Sequence, residues 1–387
     1  MAKRKSKKRQ FTKTLSLILI LFVAIISLIF YLNPGLFNNL NDLINKGDTN
    51  SLISNINRDN YYAKENNPFL VHFIDIGQGD AIFIEFPDNK TMLIDSGDNK
   101  SENNNTLVNY ILDLGVETID YVVATHADAD HIGGMDNIFY NFMVKKVFRP
   151  YVLYSGDDYE FKDDYNKGSI EYKQKSKTYG KFLNDILNET YEVNGKTQKC
   201  EWEFFNYKSD FGTNIIYNGK TTYYTVDFLS PTKSFSEILY EDANDYSPLI
   251  KISYCDFDML FTGDAETDSE LDFVTAYSEN EEYAKYVDVE LLKVAHHGSG
   301  TSTTELFLDL VKPEIAVISC GEDNSYYHPH QQVLDRLFEN NCFTLYRTDK
   351  NGHIVLSINN LGEYEIDVIN ENVDDNFIAP EKPNTND

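Results

Sequence analysis

The chain has 387 residues, 42% of them hydrophobic, with 62 acidic against 34 basic side chains and a net charge of −28. That composition excludes a wholly disordered chain and leaves room for one large domain or two ordinary ones. The acidic balance argues against a general surface for phosphate backbones or anionic headgroups, so any such partner must be held by metal or by a local basic patch.

Lys3, Arg4, Lys5, Lys7, Lys8, Arg9 and Lys13 precede an apolar run from Leu15 to Leu32 that is broken only by Ser16 and Ser27. Its 18 residues meet the lower limit for crossing a bilayer core. A soluble helix needs a polar face, and this run has none. A cleaved signal peptide ends in small residues, whereas this run leaves through Ile29, Phe30, Tyr31 and Leu32, which fits an uncleaved signal anchor. The basic end is then cytoplasmic and everything after Leu32 lies outside a single-pass cell-membrane anchor. Removing the +7 of residues 1–13 from the total leaves −35 for residues 33–387.

Residues 33–67 are rich in Asn, Asp and Ser, lack sustained periodicity, and read as a stalk. Residues 68–369 read as the domain proper. Strands are expected at 69–76, 81–86, 91–94, 121–125, 249–255, 259–261, 287–295, 315–319, 343–347 and 354–358, and helices at 106–114, 304–311 and 331–339. Leu107, Ile111 and Leu114 give the first helix one apolar face. Hairpins followed by alternating strands and helices predict an α/β domain of sheets packed on each other with helices outside. The stretch from about 145 to 224 is polar and dense in tyrosine and reads as an insertion that walls the cleft, while 370–387, with Pro380 and Pro383, reads as a disordered acidic tail. Cys200, Cys255, Cys320 and Cys342 show no CxxC spacing and read as buried thiols, while a location outside the membrane also permits a disulfide.

The chemistry concentrates in Thr125-His126-Ala127-Asp128-Ala129-Asp130-His131-Ile132-Gly133-Gly134, directly after an expected strand. Four potential ligands within six residues, on a loop leaving a strand end, can converge on two adjacent cations. Leu260-Phe261-Thr262-Gly263-Asp264 and Leu291-Leu292-Lys293-Val294-Ala295-His296-His297-Gly298 are two further strands, one ending in a carboxylate and the other in paired imidazoles. Gly77-Gln78-Gly79-Asp80 is followed by a strand rather than a helix, so it reads as a hairpin turn and not as a nucleotide-binding loop.

These three segments, together with His72-Phe73-Ile74-Asp75-Ile76-Gly77-Gln78-Gly79-Asp80-Ala81, Leu93-Ile94-Asp95-Ser96-Gly97, Asn244-Asp245-Tyr246-Ser247, His328-Pro329-His330 and Arg347-Thr348-Asp349, resemble the metallo-β-lactamase superfamily. Within it they resemble the hydrolase-like domain of the ComEC competence proteins. The resemblance spans roughly residues 69–360 and implies a four-layer αββα sandwich with metals at one edge. It implies that His126 and Asp128 hold a first divalent metal, that Asp130, His131 and His297 hold a second, that Asp264 bridges them, and that Asp95 orients a ligand imidazole. Asp128 stands where the superfamily commonly has a second histidine, and no histidine occurs between the first motif and Asp264. The site is therefore richer in oxygen than a di-zinc lactamase site, which makes Mn²⁺ a competitor to Zn²⁺ and disfavours β-lactam hydrolysis.

The expected activity is hydrolysis of a phosphodiester by hydroxide formed at two metals, with Asp130, His296 and His328 as the catalytic set. His330 shares with His328 the expectation of a phosphate contact or proton donor, while His72 and His353 read as structural. DNA is the substrate that the resemblance suggests. A cell-surface phosphoester such as a phosphocholine ester is the alternative enzyme reading, and a non-catalytic binding module on the same scaffold is a third.

Overall fold

The computed structural model describes residues 69–162, 173–207, 209–217, 220–233, 240–279, 281–371 and 376–381. The expected membrane span and stalk lie outside the described residues, and among those described no helix is long and apolar enough to cross a membrane.

Fifteen of the strands form two large sheets. The first is built from β1 (Phe69–Phe73), β2 (Ile82–Glu85), β3 (Thr91–Ile94), β4 (Thr118–Val123), β5 (Met143–Arg149), β10 (Glu201–Phe204), β18 (Ile354–Ile358) and β19 (Tyr364–Val368), in the order β10-β5-β4-β3-β2-β1-β18-β19. The second runs β11 (Asp210–Tyr217), β12 (Lys220–Phe228), β13 (Ile250–Tyr254), β14 (Phe257–Phe261), β15 (Leu291–Lys293), β16 (Ile315–Ile318) and β17 (Thr344–Arg347), in sequence order. Two small ribbons, β6 (Leu153–Tyr154) with β7 (Lys173–Gln174) and β8 (Thr190–Val193) with β9 (Lys196–Lys199), stand apart from them.

Strand alternation divides the apolar residues among three clusters, and these define the layers. In β2, Ile82 and Ile84 turn to the cluster between the sheets, where Ile250, Ile252 and Phe261 of the second sheet meet them, whereas Phe83 turns outward. In β16, Ile315 and Val317 face inward while Ala316 and Ile318 face out. Period-2 chains buried on both faces require cover on both sides. Helices α1 (Ser101–Asp113), α2 (Ala129–Ile132), α3 (Met135–Asn141) and α4 (Lys177–Asn188) contribute to the cover on the first sheet. On the second, α5 (Thr267–Tyr277), α7 (Glu305–Val311) and α8 (Gln331–Glu339) do so; α6 (Glu281–Tyr286) and α9 (Thr348–Asn351) are short connectors. The order helix, sheet, sheet, helix follows from where these side chains go. Each fully buried Leu, Ile or Phe contributes about 1.5–3 kcal/mol.

Two expected segments are corrected. The stretch 145–224 is not separate from the scaffold, because β5 pairs with β4 in the first sheet and β12 with β13 in the second. Val144 and Val147 face one core and Phe148 the other, masked in sequence by Lys145, Lys146 and Arg149. Arg149 is itself buried, its guanidinium 4.2 Å from the Phe204 ring centre and 4.6 Å from that of Trp202. Tyr151, Tyr154 and Tyr179 are buried too. A Gly/Ser linker in place of this stretch would remove strands from both sheets.

Part of the tail is also docked. Arg347 Nη1 donates to the carbonyls of Asn376 and Ile378 at 3.1 and 2.7 Å, and Phe377 and Ala379 pack on the outer core of the second sheet. The four cysteines are free thiols.

Candidate metal centre

The residues singled out for ligation leave the ends of parallel strands. β3, β4 and β5 run parallel, as do β14, β15, β16 and β17. Asp95, the loop Thr125–His131, Asp264, the pair His296-His297 and Ser319 follow the C-terminal ends of β3, β4, β14, β15 and β16, so topology gathers them at one edge. Gly263 has φ +51, and a Cβ there would lie 2.9 Å from that of Thr125, so glycine lets the Asp264 loop close on the His126 loop.

Hydrogen bonds aim each imidazole. Asp95 is fully buried in the left-handed region at φ 58; its Oδ1 accepts from the Thr125 amide at 2.8 Å, and its Oδ2 accepts from Thr125 Oγ1 at 2.6 Å and pairs with His131 Nδ1 at 2.7 Å. His297 Nδ1 lies 2.8 Å from the Ser319 carbonyl. With both Nδ1 atoms donating, the two Nε2 lone pairs face each other at 3.3 Å, and each faces Asp264 Oδ2, at 3.2 Å from His131 and 3.4 Å from His297. Asp264 Oδ1 is buried with no hydrogen-bond partner. Three ligand atoms drawn this close together among carboxylates call for positive charge between them, which a divalent cation supplies. The donor set therefore fits divalent metal.

Two groupings have ligand atoms within 4.8 Å of one another around that point: His126, His131 and Asp264, and Asp130, His131 and His297. A third, Asp80, Asp95 and His131, meets the same distance. Both Asp95 oxygens are already engaged by Thr125 and His131, and Asp80 Oδ2 by Lys293, so this grouping supports the centre instead of forming another. Asp128, half-buried at the N-cap of α2 with extended backbone, falls in none of these groupings.

Charge is concentrated here. Burial disfavours an imidazolium at His297, yet Asp264, Asp130 and Asp80 outweigh it and raise its pKa to about 10, a demand for positive charge that a bound cation would meet in place of the proton. Burial and the neighbouring His131 lower that of His126 to about 3. Burial opposes ionisation of Asp264, but His131 and His297 hold it well below the usual carboxylate range.

Residues 74–205 match the model of the metallo-beta-lactamase superfamily. Over those residues the chain is similar to that superfamily. It is 25% identical over 299 residues to "ComE operon protein 3" of Bacillus subtilis (strain 168), covering 73% of this chain and 32% of that protein. It is 26% identical over 290 residues to "Competence protein ComA" of Neisseria gonorrhoeae, covering 75% and 32%. The chain thus spans about a third of the length of these curated relatives. Among solved structures, CmlA, a diiron beta-hydroxylase from Streptomyces venezuelae, aligns with TM-score 0.42 and 13% identity over 72% of this chain and 52% of its own.

Around the candidate centre stand two more histidines. His296 Nδ1 is held by Glu266 Oε1 at 2.8 Å, and its Nε2 lies 3.7 Å from Asp264 Oδ2. Glu266, which the sequence reading passed over, also accepts from Thr301 Oγ1 at 2.9 Å. His328 stacks between His297 and Tyr326, with ring centres at 6.2 and 5.6 Å, and its buried Nδ1 has no hydrogen-bond partner. His330 Nδ1 instead accepts from the Gly300 amide at 2.9 Å and fixes a loop. Asp130 borders a cleft of about 600 Å³ whose wall includes Gln78, Asp98, Lys100, Glu322 and Tyr326. Lys100 is paired there with Asp98 at 2.7 Å.

Proposed function

We propose that this chain is a metal-dependent phosphodiesterase, tethered by the apolar run Leu15–Leu32 with its catalytic domain outside the cell membrane. The observation that carries the hydrolytic reading is the convergence of His131 Nε2, His297 Nε2 and Asp264 Oδ2, each within 3.4 Å of the others. His126, Asp130, His131, Asp264 and His297 would hold two divalent cations, Zn²⁺ or Mn²⁺, with Asp128 closing on the first. Bound there, the cations supply Lewis acidity that activates water and neutralises charge at a scissile phosphodiester. Asp130, on the border between centre and cleft, orients the attacking water. His296, its Nδ1 fixed by Glu266, presents Nε2 to the reacting group, and His328 contacts a phosphate oxygen or hands a proton to the leaving alkoxide.

Likeness to competence proteins supports DNA as the substrate, entering as a short or single-stranded segment. The second reading, a phosphoester of a cationic headgroup, is favoured by the cleft: it bears Asp98, Asp130, Glu322 and Asp323 against Lys100, with the exposed ring of Tyr326 beside them. The test is to load the full chain with Mn²⁺ or Zn²⁺, count bound metal, and compare hydrolysis of single-stranded DNA, double-stranded DNA and a phosphocholine ester. Metal-dependent cleavage of DNA alone is expected; turnover of the phosphocholine ester alone selects the second reading, and absence of bound metal overturns both.

A further inference from the structure

The turn Gly77–Asp80 joins β1 to β2 and contributes no atom to the donor set, yet it touches the elements that do. Gly79 has φ +131, and a Cβ on it would lie 2.3 Å from the Asp130 carbonyl oxygen, so the turn is pressed against the helix that carries Asp130 and His131. Gln78 Oε1 accepts from the Gly321 amide at 3.2 Å, two residues beyond the Ser319 carbonyl that holds His297. The Asp80 carbonyl accepts from Gly97 at 2.9 Å, two residues beyond Asp95.

Its carboxylate goes further. Asp80 Oδ2 lies 2.7 Å from Lys293 Nζ, and both side chains are buried. Asp80 Oδ1, buried without a hydrogen-bond partner, lies 3.4 Å from His297 Nδ1, the nitrogen already directed at Ser319. Lys293 is the last residue of β15, four before His297, and its ammonium also donates to the Val294 carbonyl at 3.0 Å.

We infer that Asp80, anchored by Lys293, is a positioning residue for the metal centre: its carboxylate beside Nδ1 keeps the proton on that nitrogen and the Nε2 lone pair of His297 turned toward Asp264 and Asp130. This deepens the metal-centre reading above and rests on it. A carboxylate next to Nδ1 raises the basicity of the opposite nitrogen and fixes ring orientation, and loss of such a partner weakens metal affinity about 10–100-fold. Lys293 explains how the acid can be there, since a buried carboxylate paired with a cation costs far less than a lone one. It also ties the end of β15 to the turn, so that the strand carrying His297 and the residue orienting it move together.

A purely structural ion pair is the competing account, and a charge-neutral double replacement separates the two. The full chain and its Asp80→Asn and Asp80→Asn/Lys293→Met variants are titrated with Mn²⁺ by calorimetry and melted without metal. Asp80→Asn should lower the melting temperature, because Lys293 is left unpaired, and weaken the affinity of one of the two sites about 10–100-fold. The double variant should recover the melting temperature and leave the affinity weakened. A double variant that binds Mn²⁺ as the wild type does overturns the inference. If the double variant fails to fold, Asp80→Asn is read against Lys251→Met, which breaks the pair between buried Lys251 and half-buried Asp258 (2.6 Å) on the β13–β14 hairpin; equal Mn²⁺ affinities in those two variants overturn it as well. A wild-type chain that binds no metal sinks the parent reading and this one together, whereas normal wild-type binding with an unaffected double variant sinks this one alone.

Discussion

His72 and His353 are buried as deeply as His131 and His297, and each pair lies among carboxylates. The two clusters differ in what the ring nitrogens meet. His72 Nδ1 lies 2.9 Å from the Tyr110 hydroxyl and its Nε2 3.3 Å from Glu85 Oε1, while His353 Nδ1 accepts from the Asp75 amide at 2.9 Å. A hydroxyl and an amide take one nitrogen of each ring there, and His72 Nε2 faces a single carboxylate, so no set of ligand atoms converges on one point. At the strand ends, Asp95 and the Ser319 carbonyl take up the Nδ1 positions and leave two Nε2 atoms and a carboxylate oxygen facing one another. Burial and composition do not separate a core histidine from a candidate ligand; the direction of its unused lone pair does.

Removing the shared acceptor should have the largest effect. Asp264→Ala removes the oxygen that His131 Nε2 and His297 Nε2 both face, so the variant should lose nearly all hydrolysis and at least one metal equivalent, measured by turnover and metal analysis. Normal turnover would break the comparison at its centre. Asp95→Asn is a finer cut, since it replaces the acceptor of the His131 Nδ1 proton with a group that can present an amide to the same nitrogen. Metal affinity should fall about 10–100-fold by calorimetric titration with the fold retained.

The converse change belongs to the other cluster. His72→Leu strands the Tyr110 hydroxyl and the Glu85 carboxylate in the core, and should cost about 3 kcal/mol or more of unfolding free energy. Metal content should be that of the wild type. If denaturant melts show the loss and metal analysis shows depletion too, the clusters are coupled and the distinction fails.

The candidate centre was more legible than the fold around it. His126, Asp130, His131, Asp264 and His297 stood out because each follows a short apolar strand, and strand ends are where parallel topology gathers side chains. Gln331–Glu339 was legible to the residue, its apolar face of Val333, Leu334 and Leu337 being uninterrupted. Helix α5 was not, since its buried face includes Ser269 and Glu270, which read as solvent-facing. β5 was hidden for the same reason by Arg149. Asp80, Lys293 and Glu266 act through other residues, and only coordinates reveal contacts between a hairpin turn and a strand more than two hundred residues away.

Glu270 gives the smallest effect and extends the comparison to a carboxylate. It is almost wholly buried at the start of α7, with Oε1 accepting from the Thr303 amide at 2.5 Å and Oε2 from that of Thr304 at 2.9 Å. Both of its oxygens are satisfied by protein donors, so it should bind no metal. Burial nevertheless raises its pKa from 4.5 to about 7, against the opposing pull of those amides and of Arg336. Between those values the folded protein holds a proton that the unfolded chain has released, so stability should fall as pH rises from 4.5 to 7 and level off above it. The contribution is at most about 3 kcal/mol over the window. Glu270→Gln cannot ionise, and its melts should lack that share of the pH slope while metal binding stays unchanged. If variant and wild type show the same slope, Glu270 is already ionised in the folded state at pH 4.5 and the two amides outweigh its burial.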